Sequence, residues 1–154
     1  MNLEIERKFL LKDDSWKAGN TGIHYKQAYL NEPGGNTVRV RIEGDEAKLT
    51  IKSKAIGISR QEFEYTIPLA DAEALFLLAR TPIVEKYRYK IPYAGNVWEV
   101  DEFVGQNEGL VVAEIELSSE NQSFEKPSWI GDEVTGDKRY YNSHLARHPY
   151  SEWK

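Results

Sequence analysis

The chain has 154 residues, 40% of them hydrophobic, enough for one core and too few for two, so residues 1–154 are expected to form a single domain. It has no cysteine, and His24, His144 and His148 lack zinc-site spacing; this excludes disulfides, thiolate chemistry and a zinc centre, and leaves oxygen as the donor for any metal. A formal net charge of -5 argues against general nucleic-acid binding, and a charged N-terminus without an apolar run argues against a signal peptide or membrane span, so a cytoplasmic protein with no nucleic-acid or membrane partner is expected.

The first element, "LEIERKFLL" (Leu3 to Leu11), alternates with the two-residue period of a strand. Glu4, Glu6 and Lys8 fall on one face, and Leu3, Ile5, Phe9 and Leu11 mostly on the other. "HYKQAYL" is a weaker strand candidate, with Tyr29 sharing the parity of Gln27. "TVRVRIEG" sets Arg39, Arg41 and Glu43 against Val38, Val40 and Ile42, and "KLTIKSK" sets Lys48, Thr50, Lys52 and Lys54 against Leu49 and Ile51. "SRQEFEYTI" opposes Arg60, Glu62 and Glu64 to Phe63, Tyr65 and Ile67. Next, "PLADAEALFLLAR" carries Leu75, Leu78 and Ala79 at helical spacing, with Asp71 as N-cap and Pro82 closing the segment. "EKYRYKI" has a basic face (Lys86, Arg88, Lys90). "VWEVDEF" and "VVAEIEL" have acidic ones, Glu99 with Asp101 and Glu114 with Glu116. "ENQSFEKPSWIGDE" reads as irregular, and "EVTGDKRYYNSHLARH" offers Thr135 and Asp137 as caps before a short terminal helix. About eight strands result, joined by turn signals such as "PGGN", "EGDE", "YAGN" and "GQNEG".

Two readings of the charged faces stay open on pattern alone. In one, each strand has a dry face and a solvated face, as antiparallel sheets commonly do. In the other, the sheet closes with its apolar faces outward under helices, and the charged faces line the lumen. Burying unpaired charge costs on the order of several kcal/mol, so such a lumen must hold water, counter-charges or a charged ligand. Lys8, Arg39, Arg41, Lys52, Arg60, Lys86 and Arg88 exceed what one carboxylate substrate needs, and arginine forks match phosphate oxygens, which points to a polyphosphate. Glu4, Glu6, Asp101, Glu114 and Glu116 are hard oxygen donors suited to magnesium or manganese.

"EIERKF" resembles the ExExK signature of the CYTH superfamily, the triphosphate tunnel metalloenzymes. R-x-R, K-x-K, E-x-E, K-x-R and a late E-x-E follow in the family's order over essentially the whole chain. "SRQEFE" and "WIGDEVTGDKRYYN" resemble the short single-domain bacterial members. The resemblance implies an α+β fold built on an eight-stranded antiparallel barrel, a tunnel with a charged lumen, flanked by helices. It implies binding of a triphosphate-containing small molecule with magnesium or manganese, and allows a homodimer, for which no interface patch is legible. Carried over by position, Glu4, Glu6, Glu114 and Glu116 would bind metal, with Asp101 a further acid. Lys8, Arg39, Arg41, Lys52, Lys86 and Arg88 would hold phosphates, Arg60 also matches a tunnel position, and Lys138 and Arg139 would reach the mouth from the tail. Lys8 or Lys52 would neutralise charge on the leaving group. The expected activity is hydrolysis of tripolyphosphate to pyrophosphate and phosphate. The alternatives are a class IV adenylate cyclase, a thiamine triphosphatase, a nucleoside triphosphatase, or a non-catalytic polyphosphate-binding module.

Overall fold

The computed structural model describes residues 3–153. Its strands are β1 (Leu3–Leu11), β2 (Ile23–Tyr29), β3 (Thr37–Glu43), β4 (Glu46–Lys52), β5 (Ser59–Ile67), β6 (Val84–Tyr93), β7 (Asn96–Phe103), β8 (Val111–Glu116) and β9 (Ile130–Glu133). Eight of them close a barrel in the order β1-β5-β4-β3-β2-β6-β7-β8, and every pairing is antiparallel. The β6–β7 hairpin turns on Ala94 and Gly95, both at positive φ (49 and 84), the conformation that matches the twist of a two-residue hairpin.

β1 is the strand that closes the sheet. Over Leu3–Ile5 one edge pairs with β5; by Phe9–Leu11 the same edge has passed to β9, while the other edge keeps β8 over Glu6–Leu10. The ninth strand lies in a stretch read from sequence as irregular. Its four residues, "IGDE", show no alternation, and it exists because the strongly sheared barrel leaves half of one β1 edge open.

Alternation then works as an inverted pattern. On the outside of β1, β6, β7 and β8, Ile5, Phe9, Tyr89, Trp98, Val100, Ala113 and Ile115 form a core sealed by Trp16, Leu117, Trp129 and Ile130 rather than by a helix. Phe9, Trp98 and Phe124 meet edge to face, with centroids 5.5 to 6.1 Å apart, a favoured aromatic geometry. Among the described residues, only β3 and β4 are roofed by an α-helix: α1 (Leu69–Phe76) seats Ala72 on Val40, Ile42 and Ala47. Pro68, not Asp71, is its N-cap, and Asp71 lies in the first turn, where a carboxylate favours the helix dipole. The helix ends before Leu78, because Leu77 and Leu78 bond back three residues in a closing turn; their side chains are 87% and 66% exposed.

The second helix, α2 (Asn142–Arg147), does not flank the barrel wall. Leu145 and Ala146 pack with Tyr140 against Tyr29, Val84, Phe103 and Val112. Those four share strand parity with the charged lumen residues, so the tail closes one end of the lumen with an apolar stopper. Among the described residues, no helix is long and apolar enough to cross a membrane.

Candidate active site

The lumen is a cavity of about 290 Å³ with nine cationic and eight acidic side chains in its lining. β1 supplies Glu4, Glu6 and Lys8; β3 supplies Arg39 and Arg41; β4 and β5 supply Lys52 and Arg60; β6 supplies Lys86 and Arg88; β8 supplies Glu114 and Glu116. Every one of these was marked by two-residue parity, and the closed sheet turns those parallel rows toward one another.

Glu4 is the best neutralised acid of the opening strand. Lys52 Nζ donates to both its oxygens, at 3.1 and 3.0 Å, and Arg60 Nε donates at 3.0 Å. Burial opposes its ionisation, but the two cations win and hold its pKa at about 2. Two residues along, burial together with the charges of Glu114 and Glu4 pushes Glu6 up to about 8, well above its ordinary 4.5. Glu116 and Glu62 are raised too, by burial and then by Glu4 beside them. The acidic sector thus holds more carboxylates than its cations neutralise.

The adjoining sector, on β6 and β7, is matched. Arg88 donates from Nε and Nη2 to the two oxygens of Asp101, at 2.7 and 2.8 Å, and from Nη2 to Glu114 Oε1 at 3.1 Å. Lys86, 1% exposed, donates to Asp101 Oδ2 at 2.7 Å and to Asn142 Oδ1 at 2.9 Å. Burial opposes charge on Asp101, yet Arg88 and Lys86 hold it ionised and below its ordinary value. Lys86 has the weaker hold on its proton: burial, abetted by nearby Arg88, brings it down to about 7. Lys8 donates to the Tyr140 carbonyl at 3.0 Å and lies 3.4 Å from Glu114; burial opposes its charge, but Glu114, Glu6 and Asp101 raise its pKa.

Two assignments read from sequence change. Asp101 shares the inward parity, but at 2% exposure it is outside the cavity lining, with both oxygens occupied by Arg88 and Lys86, so it anchors cations instead of facing a ligand. Lys138 is exposed and outside the lining, and so is Arg139, whose guanidinium returns to Asp137 at 2.7 Å. Asp137 caps a 3-10 turn over Lys138–Tyr140, and that turn leaves Thr135, Gly136, Tyr141, Asn142 and Ser143 as the tail residues at the cavity. Lys54 also lies outside the lining, whereas Lys90 lies within it.

Sequence reasoning passed over Tyr25 and Asn142, and gave Glu43, which alternation set beside Arg39 and Arg41, no role. Tyr25 shares the inward parity of its strand, a signal that was there to use, whereas Asn142 sits on the tail helix and had none. Arg39 donates from Nη2 to Thr50 at 3.3 Å, while its Nε is buried with no partner among the described residues, an orphan donor inside the lumen.

A closed antiparallel barrel with a lumen of facing acids and cations defines a class of anion-handling tunnel proteins. The family model of the CYTH domain matches residues 2–146. The chain is 50% identical over its whole length to the inorganic triphosphatase of Acetivibrio thermocellus, of which it covers 99%. It is 40% identical to the inorganic triphosphatase of Nitrosomonas europaea, the match covering 93% of this chain and 96% of that one. The crystal structure of the inorganic triphosphatase NE1496 superposes with a TM-score of 0.67 at 37% identity, over 92% of this chain and 96% of that one. The chain belongs to the CYTH family.

Proposed function

We propose that the protein hydrolyses inorganic triphosphate to pyrophosphate and phosphate inside the barrel lumen, with a divalent cation. The observation that carries the reading is the division of the lumen into an over-acidic sector and a charge-matched one, in a chain 50% identical to an inorganic triphosphatase.

Charge counting supports the need for a cation. Nine cationic against eight acidic lining residues leave the lumen near neutral, so the protein alone offsets little of a triphosphate's charge. Among the described residues no three acids already converge as a metal cage. The donor chemistry fits nonetheless: Glu6 and Glu116 are raised by burial and then by neighbouring carboxylates, and a hard cation would relieve that repulsion. Magnesium or manganese held by Glu4, Glu6, Glu114 and Glu116 would draw negative charge from the phosphoryl oxygens.

The chain's own cations then have separate tasks. Arg39, Arg41, Arg60, Lys86 and Arg88 hold the phosphates, and Asp101 keeps Arg88 and Lys86 in place. As the water oxygen bonds to a terminal phosphorus, the bridging bond breaks, its electron pair passes to pyrophosphate, and the proton shed by the water passes to solvent. Lys8 and Lys52 offset that developing charge.

The test is phosphate release from tripolyphosphate, ATP and thiamine triphosphate with magnesium, manganese or chelator. Metal-dependent release, fastest from tripolyphosphate and reduced at least about 100-fold in Glu4→Gln/Glu6→Gln, is expected. Release that survives chelator and the double substitution overturns the metal role; cyclic AMP from ATP overturns the hydrolase reading.

A further inference from the structure

We infer that Tyr25 is a positioning residue that holds two lumen arginines apart, so that they engage neighbouring phosphoryl groups of one chain instead of the same group. The inference rests on the proposed triphosphate site and assigns it a spacing element.

β2 lies between β3 and β6, and Tyr25 pairs with Glu43 on one side and Lys86 on the other. Arg41 lies opposite Gln27 and Arg88 opposite Ile23, on opposite diagonals from Tyr25. Both guanidinium carbons sit over its ring, 5.0 Å and 5.1 Å from the centroid. The ring is 3% exposed and lines the cavity. Two cations on one aromatic face system are drawn to the ring while they repel each other. The repulsion registers on Arg41, whose pKa is lowered by burial and then by Arg39 and Arg88.

Each arginine is also tied down by a carboxylate. Arg88 is fixed by the two oxygens of Asp101, and Arg41 Nε donates to Glu43 at 2.7 Å. The ring is therefore a spacer between two anchored forks. An aliphatic side chain would leave the Arg41 guanidinium, still held by Glu43, free to turn toward Glu64, its other acidic neighbour. A ligand with one phosphate needs one fork; a triphosphate needs both at a set separation.

The test compares Tyr25→Leu and Tyr25→Met with Tyr25→Phe. Expected is a rise of about fivefold to tenfold in KM for tripolyphosphate in Leu and Met, with kcat within about twofold, and near-native KM in Phe. Inhibition by inorganic phosphate, a one-fork ligand, should be unchanged in all three. Unchanged KM in both aliphatic variants overturns the inference, and so does an equal weakening of inorganic phosphate, or a Phe variant as impaired as Leu. If the native protein does not hydrolyse tripolyphosphate, the proposed function fails. Calorimetric binding of tripolyphosphate in chelator then reads the spacing: weaker binding in Leu and Met alone supports it, while equal binding in all forms, or none in the native protein, overturns it.

Discussion

Asp101 and Glu6 are both inward carboxylates that neighbour Glu114, and their surroundings are opposite. Asp101 has two cations for one charge, with all contacts at 2.7 to 2.8 Å, and is held ionised. Glu6 faces Glu114 and Glu4, whose cations are already engaged, and rises to about 8. Asp101 is 2% exposed and Glu6 half-buried, yet the more buried carboxylate is the one held ionised, so burial alone does not decide. The count of opposite charges within reach decides whether a buried carboxylate stays ionised or is pushed toward its neutral form.

Removing each carboxylate is the most direct way to break that comparison. Asp101→Ala strands Arg88 and Lys86 in a buried wall and should cost about 3–5 kcal/mol in chemical denaturation. Glu6→Gln replaces a carboxyl that the folded state keeps protonated at neutral pH with a neutral amide, and should leave metal-free stability there unchanged or higher. If both substitutions destabilise equally, the two sectors do not differ as described.

Titration sharpens it with a smaller effect. In metal-free buffer the folded state holds a proton on Glu6 between pH 4.5 and about 8 that the unfolded chain has released, so stability should fall as pH rises through that window, by at most about 1.4 kcal/mol per unit. Glu4 works in the other direction: with a folded pKa of about 2, its stabilisation is present above 4.5 and is lost as pH falls from 4.5 to 2. Metal-free stability should peak near pH 4.5 to 5, and Glu6→Gln should move the peak toward neutrality. Thermal melts across pH in chelator, native against variant, check this; an unmoved peak would refute the charge imbalance at Glu6.

The barrel was legible because two-residue alternation survives wherever one strand face is apolar, and Ile5, Phe9, Trp98 and Ile115 kept that face clean. The lumen acids and cations followed from the same parity. What parity does not carry is depth or partnership. Asp101 and Glu99 have identical parity on β7, yet only Glu99 lines the cavity, because Arg88 and Lys86 enclose the carboxylate of Asp101. β9 and the lumen stopper on α2 were not legible either, since both depend on where the closed sheet leaves an open edge or an open end. Neither is a local property of "IGDE" or "NSHLAR".

The smallest effect is expected at Lys138, where the tail motif suggested a substrate contact. Its neighbours Gly136 and Tyr141 reach the cavity, but the 3-10 turn capped by Asp137 leaves Lys138 exposed and outside it. An exposed lysine beyond the lining has no route to the phosphates except long-range attraction, which salt at about 0.15 M screens beyond roughly 8 Å. Lys138→Ala should leave kcat/KM for tripolyphosphate within about twofold and stability within about 0.5 kcal/mol. Lys52→Ala, which removes the cation that donates to both oxygens of Glu4, should lose far more turnover in the same assay. A loss at Lys138 comparable to that at Lys52 would mean that the tail moves over the mouth when substrate binds, and that the lumen seen here is more open than the working one.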